Sequence, residues 1–293
     1  MRSSNWVARR ILSCAAAVAA LALPVGSAAA ASAVLDRVKE TGTITLAYRE
    51  AAAPFSFRDR EGRIRGYSVE LCQRVAEAVQ RELGLRQLKV DWVPVDAETR
   101  FDVVTSGKAD AVCGTTTVTL TRMELVDFSL PIFVDGASVL VRGKSRLTRL
   151  VDLKGRKIAV VGGTTTEQSL VRALNVIEAP AVLVPVKDAA EGMAALAAGR
   201  ADGFAGDRVV LAALRQQAAR GNDLEFIGSD FSYEPYAIVL PRNDPDFRLV
   251  VNRALAALYR SGDIDPIFQR WLGGLGKPGP LLHAMFYLST LPE

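Results

Sequence analysis

The sequence predicts an α/β protein built from two similar lobes. Short apolar strands alternate with amphipathic helices along the chain, and this alternation restarts near residue 157. Such alternation is typical of mainly parallel sheets with helices on both faces. In addition, GKADAVCGT (107–115) and GRADGFAGD (199–207) align without a gap. We therefore expect two equivalent units, each built around such a sheet.

The first unit begins with the strand-like segment TITLAYR (43–49). The spacing of apolar residues then predicts a helix over 68–83, because one helical face would be apolar. LKVDWVPV (88–95) predicts a strand, 98–106 a short helix, and ADAVCG (109–114) another strand. These segments form one round of strand–helix alternation.

The second unit repeats the pattern. Its predicted elements are the strand 157–161, the helix 165–174, the strand 181–186, the helix 189–199, the strand 201–206 and the helix 207–219. Late in the chain, a further strand is expected over 236–241 and a helix over roughly 244–261.

The first 30 residues have a different composition from the rest. Arg2, Arg9 and Arg10 precede the short apolar run ILSCAAAVAALALPV and then a series of small residues. This order is typical of a cleaved secretory signal peptide, and the apolar run is too short for a membrane anchor. Removal of residues 1–30 leaves 33 of the 36 basic residues against 32 acidic ones, a net charge of +1. We expect a periplasmic protein and no interaction with nucleic acid.

Two cysteines, Cys72 and Cys113, remain after the expected cleavage. An oxidising compartment permits a disulfide between them, and the alternative is two buried thiols. Cys72 lies on the inward face of the predicted helix 68–83, and Cys113 ends a strand that this helix could cover, so we expect the disulfide. We expect no metal site, because the only histidine, His283, falls in a C-terminal tail predicted to be loose.

The internal repeat indicates where a ligand would bind. It places Thr115 and Asp207 just past the carboxyl ends of equivalent strands, where open α/β sheets place their ligands. The segment GTTTVTLTR (114–122) adds several hydroxyls and Arg122, whose planar guanidinium matches a carboxylate. A second polar cluster, GGTTTEQ (162–168), precedes a helix whose first N–H groups favour an anion. Turn and capping chemistry would also explain each cluster alone.

The sequence contains no obvious set of catalytic residues. No histidine is available as a base for a nucleophile, and Glu50, Glu167 and Asp207 form no evident acid/base pair by spacing. We expect no enzymatic activity and no cofactor.

Several motifs resemble those of the extracellular solute-binding proteins of family 3, the polar amino-acid receptors of ABC importers. The similar segments, in order, are APFSFRDREGRIRGYSVEL (53–71), ADAVCGTTTVTLTRMELVDFSLPIF (109–133), DLKGRKIAVVGGTTTE (152–167) and ADGFAGD (201–207). They span nearly all of the chain after the leader. YRE at 48–50, CGTTT and Arg100 are most similar to the glutamate/aspartate-binding subgroup.

The resemblance implies the type II periplasmic binding protein fold, in which two lobes joined by two hinge strands close on an amino acid. Lobe one would comprise 34–133 plus 239–293, and lobe two 139–235. The hinges would lie near 133–138 and 234–238.

The resemblance also implies ligand contacts. Arg122 would hold the α-carboxylate of the ligand, helped by Thr117 and by Thr165 from the other lobe. Thr115 and Asp207 would hold the α-ammonium group.

Specificity would come from two further cations. Arg49 and Arg100 would bind a side-chain carboxylate. Members of the subgroup often have a serine where Ala97 stands and a histidine near Ala189, so glutamate, aspartate and a larger acid all remain open as ligands. In the alternative interpretation, both arginines are surface charges paired with nearby glutamates.

The function implied is a monomeric periplasmic receptor that delivers an acidic amino acid to an ABC permease in the inner membrane. The alternatives are a receptor for glutamine or another polar amino acid, a periplasmic dehydratase of the same fold, and a sensor module.

Overall fold

The computed structural model describes residues 32–218, 223–228 and 230–292. The predicted leader, residues 1–30, lies outside the described residues. The described chain forms two five-stranded sheets and one small three-stranded sheet. Within these residues, no helix has the length and apolar character needed to cross a bilayer.

The first sheet combines strands from both ends of the chain. In spatial order its strands are β5 (Lys89–Val95), β1 (Thr43–Arg49), β6 (Ala111–Cys113), β13 (Glu234–Leu240) and β7 (Asp127–Asp135). β1 pairs in parallel with β5 and β6, whereas β13 is antiparallel to both β6 and β7. Within this sheet, β13 therefore runs against the direction that the other strands share.

The second sheet has the same plan. Its strands are β10 (Val182–Val186), β9 (Lys157–Val161), β11 (Gly203–Asp207), β8 (Ala137–Arg142) and β12 (Leu224–Phe226). β9 pairs in parallel with β10 and β11, and β8 is antiparallel to both β11 and β12. The expected fold class, two lobes with a mainly parallel sheet in each, is confirmed.

Helices cover both sheets. Those that follow or flank the first sheet are α1 (Ala33–Thr41), α2 (Tyr67–Glu82), α3 (Asp102–Thr105), α4 (Leu120–Met123), α8 (Pro245–Ser261), α9 (Ile264–Leu272) and α10 (Pro280–Leu288). Those of the second are α5 (Thr165–Val176), α6 (Ala189–Ala197) and α7 (Arg208–Gln217). The small sheet consists of β2 (Ala51–Ala52), β3 (Ser56–Arg58) and β4 (Ile64–Arg65).

Side-chain caps fix where several helices begin. The Thr164 hydroxyl accepts a hydrogen bond from the Glu167 N–H at the start of α5, and the Asp244 carboxylate accepts one from the Phe247 N–H at the start of α8. These caps satisfy N–H groups that have no partner within the helix. Pro245 occupies the first position of α8, where a missing N–H costs nothing.

A disulfide joins Cys72 to Cys113, as the sequence predicts. Cys72 lies on the buried face of α2, and Cys113 is the last residue of β6. The Cα atoms are 6.2 Å apart, within the usual range for a disulfide. The bond therefore ties α2 directly to the strand that leads into the predicted ligand loop.

Two expectations need correction. The predicted helix 98–106 is confined to α3, because the Asp96 carboxylate accepts hydrogen bonds from the N–H groups of Glu98 and Thr99 and holds a turn instead. The tail around His283 is not loose: it forms α10, which buries Leu282 and packs Phe286 against Tyr259.

The chain passes between the two sheets at two places. β7 continues into β8 through Gly136 alone, and β12 leads into β13 through residues 227–233. These crossings overlap the predicted hinges. The exact lobe boundaries stay a prediction.

Candidate functional site

One pocket collects residues from both sheets. Thr115 lies two residues beyond the end of β6, Asp207 is the last residue of β11, and both line this pocket. The equivalent segments of the internal repeat thus converge on one cavity from opposite lobes. This is the position that the carboxyl ends of parallel strands favour for ligands.

Three arginines, Arg49, Arg100 and Arg122, line the same pocket. Arg100 is the most deeply buried, with 3% of its surface exposed. Burial and, to a smaller extent, the positive charges of Arg122 and Arg49 together lower the pKa of Arg100 to about 9. Among the described residues its Nη1 atom has no hydrogen-bond partner. A buried, unpaired guanidinium beside two like charges is costly unless an anion joins it.

An aromatic ring partly supports this cluster. The Arg100 guanidinium lies 4.5 Å from the centroid of the Phe101 ring, and that of Arg122 lies 5.4 Å from the same centroid. The negative face of an aromatic ring attracts such cations. The contact holds both guanidinium groups in place without neutralising either charge.

Arg49 ends β1, is half-buried and lines the pocket. Burial lowers the pKa of Arg49, and the negative charges of Asp207, Asp96 and Asp188 partly oppose that shift. A Cβ atom on Gly114 would lie 2.9 Å from the Cγ atom of Arg49. The glycine that follows Cys113 therefore makes room for the Arg49 side chain.

The interpretation of the two arginines as surface charges does not fit this geometry. Glu50 pairs with Arg58 at 3.2 Å, and Glu98 is exposed. In the part of the chain that the structure describes, neither Arg49 nor Arg100 forms an ion pair with either glutamate.

Arg122 is held by its own local structure. It lies in α4, where its N–H donates to the Thr119 hydroxyl at 3.1 Å, and its Nη1 donates to the Thr117 carbonyl at 2.7 Å. Burial lowers the pKa of Arg122, and the carboxylates of Glu234 and Asp207 partly oppose the shift. The guanidinium is thus fixed at the pocket with donors to spare.

Asp207 supplies a negative charge on the opposite side of the pocket. Burial raises the pKa of Asp207, and the hydrogen bond from Thr166 and the charge of Arg49 partly oppose that rise. The Thr166 hydroxyl donates to Oδ1 at 2.9 Å. The pocket therefore presents cations at one end and a carboxylate at the other, as a ligand with both kinds of charge requires.

The two threonines expected near the α-carboxylate differ in position. Thr165, the first residue of α5, lines the pocket. Thr117 is 4% exposed and lies behind the lining, where its hydroxyl donates to the Glu234 carboxylate at 2.6 Å. Ala189 lines the pocket and Ala97 is buried in the turn before Arg100, so neither offers a hydrogen bond to a ligand.

Sequence reasoning missed Glu234, Tyr236 and Asp135, buried or half-buried polar residues outside the lining of this pocket that are linked by hydrogen bonds or charge to Thr117, Thr165 and Asp207. Glu234 is 1% exposed and begins β13. The Tyr236 hydroxyl donates to Asp135 Oδ2 at 3.3 Å. The sequence signal that could have indicated Glu234 is an acidic residue at the start of the largely apolar strand EPYAIVL, since carboxylates are rarely buried without partners.

Comparison with known proteins identifies the family of this chain. The model of the bacterial extracellular solute-binding proteins, family 3, matches residues 44–274. This chain belongs to that family. It is 36% identical over 267 residues to an L-glutamate/L-aspartate-binding protein of Pseudomonas aeruginosa, an alignment covering 90% of this chain and 88% of the relative. It is 30% identical over 263 residues to a glutamate/aspartate import solute-binding protein of Escherichia coli, covering 88% and 87%.

A solved structure also shares the fold. An ancestral arginine-binding protein bound to glutamine superposes with a TM-score of 0.71 and 29% sequence identity, covering 79% of this chain and 98% of that chain. That protein is named for arginine but has glutamine bound, so the fold alone does not select the ligand. The choice of ligand has to be argued from the pocket of this family member.

Proposed function

We propose that this chain is the periplasmic receptor of an ABC importer and captures an acidic amino acid, glutamate or aspartate, between its two lobes. The observation that carries the proposal is the buried Arg100 guanidinium, whose Nη1 lacks a partner among the described residues. The names of the relatives in Pseudomonas aeruginosa and Escherichia coli support the same ligand class.

The charges of the pocket match such a ligand. Arg122 faces the α-carboxylate, Arg49 and Arg100 face the side-chain carboxylate, and Asp207 with Thr115 faces the α-ammonium group. A neutral amide in place of the second carboxylate would give the buried Arg100 and the half-buried Arg49 no carboxylate of the ligand to pair with. Unpaired buried charges are strongly unfavourable, so the amides should bind more weakly than the acids.

We propose binding without catalysis. The family consists of solute-binding proteins, and the relatives named above are binding proteins. In the pocket, the Asp207 carboxylate accepts a hydrogen bond from the Thr166 hydroxyl. A carboxyl group held in this way suits an ammonium group better than proton transfer to a substrate.

Calorimetry with glutamate, aspartate, glutamine, asparagine and arginine tests the ligand class. We expect the acids to bind at least about tenfold more tightly than their amides, because one unpaired buried charge costs more than about 1.4 kcal/mol. Tightest binding of an amide would instead support the glutamine-receptor alternative.

Substitution tests the residues. Arg49→Gln and Arg100→Gln should each remove the preference for the acid over its amide and leave the α-group contacts intact. Arg86→Gln is the matched control, because Arg86 is exposed and lies outside the pocket lining. If both pocket variants keep the wild-type ratio of glutamate to glutamine affinity, the acidic-ligand proposal is wrong.

A further inference from the structure

The Glu234 carboxylate joins hydroxyl groups from three segments of the chain. Its Oε2 accepts hydrogen bonds from Thr117 Oγ1 at 2.6 Å and from Thr165 Oγ1 at 2.7 Å, and its Oε1 accepts one from Ser232 Oγ at 2.6 Å. The carboxylate is 1% exposed. It lies outside the pocket lining, directly behind the residues that form it.

Two of these partners, Thr117 and Thr165, belong to different lobes. The segment of Thr117 is fastened to β13 by the Val118 N–H, which donates to the Pro235 carbonyl at 2.8 Å. Glu234 and Thr117 therefore move with the first sheet. Thr165 begins α5, which packs on the second sheet. The bond between Thr165 and Glu234 consequently runs from one lobe to the other.

The hydroxyl protons of Thr117 and Thr165 are already used in hydrogen bonds within the protein. Thr165 Oγ1 lies 2.7 Å from Glu234 Oε2 and 3.2 Å from Thr117 Oγ1. A hydroxyl donates one hydrogen bond, and an ionised carboxylate is the stronger acceptor. Both threonines thus donate to Glu234, and neither has a proton left for a ligand carboxylate. Binding of the ligand α-carboxylate is therefore left to Arg122.

We propose that Glu234 is a positioning residue that latches the two lobes in the closed arrangement. It binds Thr165 of the second sheet to the first sheet behind the ligand, without touching the ligand. This inference rests on the proposed receptor function, since a latch matters where closure holds a ligand. A latch made on closing slows opening and release, and leaves the encounter with the open cleft unchanged.

Stopped-flow binding of L-glutamate to the Glu234→Gln variant tests the latch. Gln keeps the size of the side chain and replaces charge-assisted hydrogen bonds by weaker neutral ones. We expect the dissociation rate to rise about tenfold, with the association rate and the ratio of glutamate to glutamine affinity unchanged. Thr165→Val should raise the dissociation rate too, and the double variant should be no faster than the faster single variant.

Thr41→Val is the matched control for Thr165→Val, because Thr41 is exposed, lies outside the pocket lining and makes no contact with Glu234. We expect its dissociation rate to stay within about twofold of wild type. An unchanged dissociation rate in Glu234→Gln, a fall in association rate instead, or effects that multiply in the double variant would overturn the latch. If the wild type prefers another amino acid of the panel, the same rates are measured with that amino acid, so a wrong ligand class does not decide the latch.

Discussion

Replacing Arg100 by methionine should change stability and affinity in opposite directions. The fall in the Arg100 pKa from its ordinary value to about 9 corresponds to roughly 5 kcal/mol of electrostatic cost in the ligand-free protein. Its contact with the Phe101 ring returns about 0.5–2 kcal/mol of that cost. Methionine fills a similar volume without charge, so we expect the ligand-free variant to be about 1–4 kcal/mol more stable.

The same substitution should remove most of the affinity for glutamate. Loss of a buried partner of a carboxylate costs about 3–5 kcal/mol, or roughly 10² to 10⁴ in affinity. Wild type at a ligand concentration of 100 Kd gains about 2.7 kcal/mol in unfolding free energy, and the variant at that concentration should gain almost nothing.

Urea unfolding with and without glutamate, together with calorimetry, measures both quantities. Arg86→Met is the control, because Arg86 is exposed, and its stability should stay within about 0.5 kcal/mol of wild type. The reasoning is refuted if Arg100→Met is destabilised by more than about 1 kcal/mol and still binds glutamate within a few-fold of wild type.

Three further predictions concern other parts of the molecule. Arg122→Ala and Asp207→Ala should each weaken the binding of every amino acid by roughly 10² or more, because all amino acids share the α-carboxylate and α-ammonium groups. A calorimetric affinity near that of wild type in either folded variant would contradict this. Reduction of the Cys72–Cys113 disulfide should lower the unfolding free energy by about 3–4 kcal/mol, as measured by urea unfolding with and without reductant. Finding two free thiols in unreduced, unfolded protein would contradict the bond. Burial raises the pKa of Asp135 to about 8. The folded protein then holds a proton that the unfolded chain releases near pH 4, so the stability from this group is complete below about pH 4 and is lost as pH rises to about 8. NMR titration of its carboxyl carbon should show the midpoint, and a midpoint below about pH 5 contradicts the shift.

The convergence of the two strand ends could be predicted from the sequence, because it depends on local pattern. Thr115 and Asp207 follow equivalent strands in equivalent segments, and parallel strands in such sheets end on one side. The cysteine pair was predictable for a similar reason, since the helix period fixed the buried face of α2.

The role of Glu234 could not be predicted in this way. Its partners Thr117 and Thr165 lie 117 and 69 residues away in sequence, and no periodicity joins them. They meet only because β13 returns to the first sheet between β6 and β7. The helix predicted over 98–106 failed for the opposite reason: one local side chain, Asp96, competed with the helical hydrogen bonds.

The position of the disulfide has a consequence for how the protein matures. The precursor has three cysteines, because Cys14 lies in the expected leader, and a wrong partner is therefore available to each of the other two. In residues 31–293, Cys72 and Cys113 are the only two cysteines, so each has a single choice of partner there. Oxidation of this part of the chain reaches the native pairing without reshuffling, and we expect disulfide isomerases to be dispensable for it.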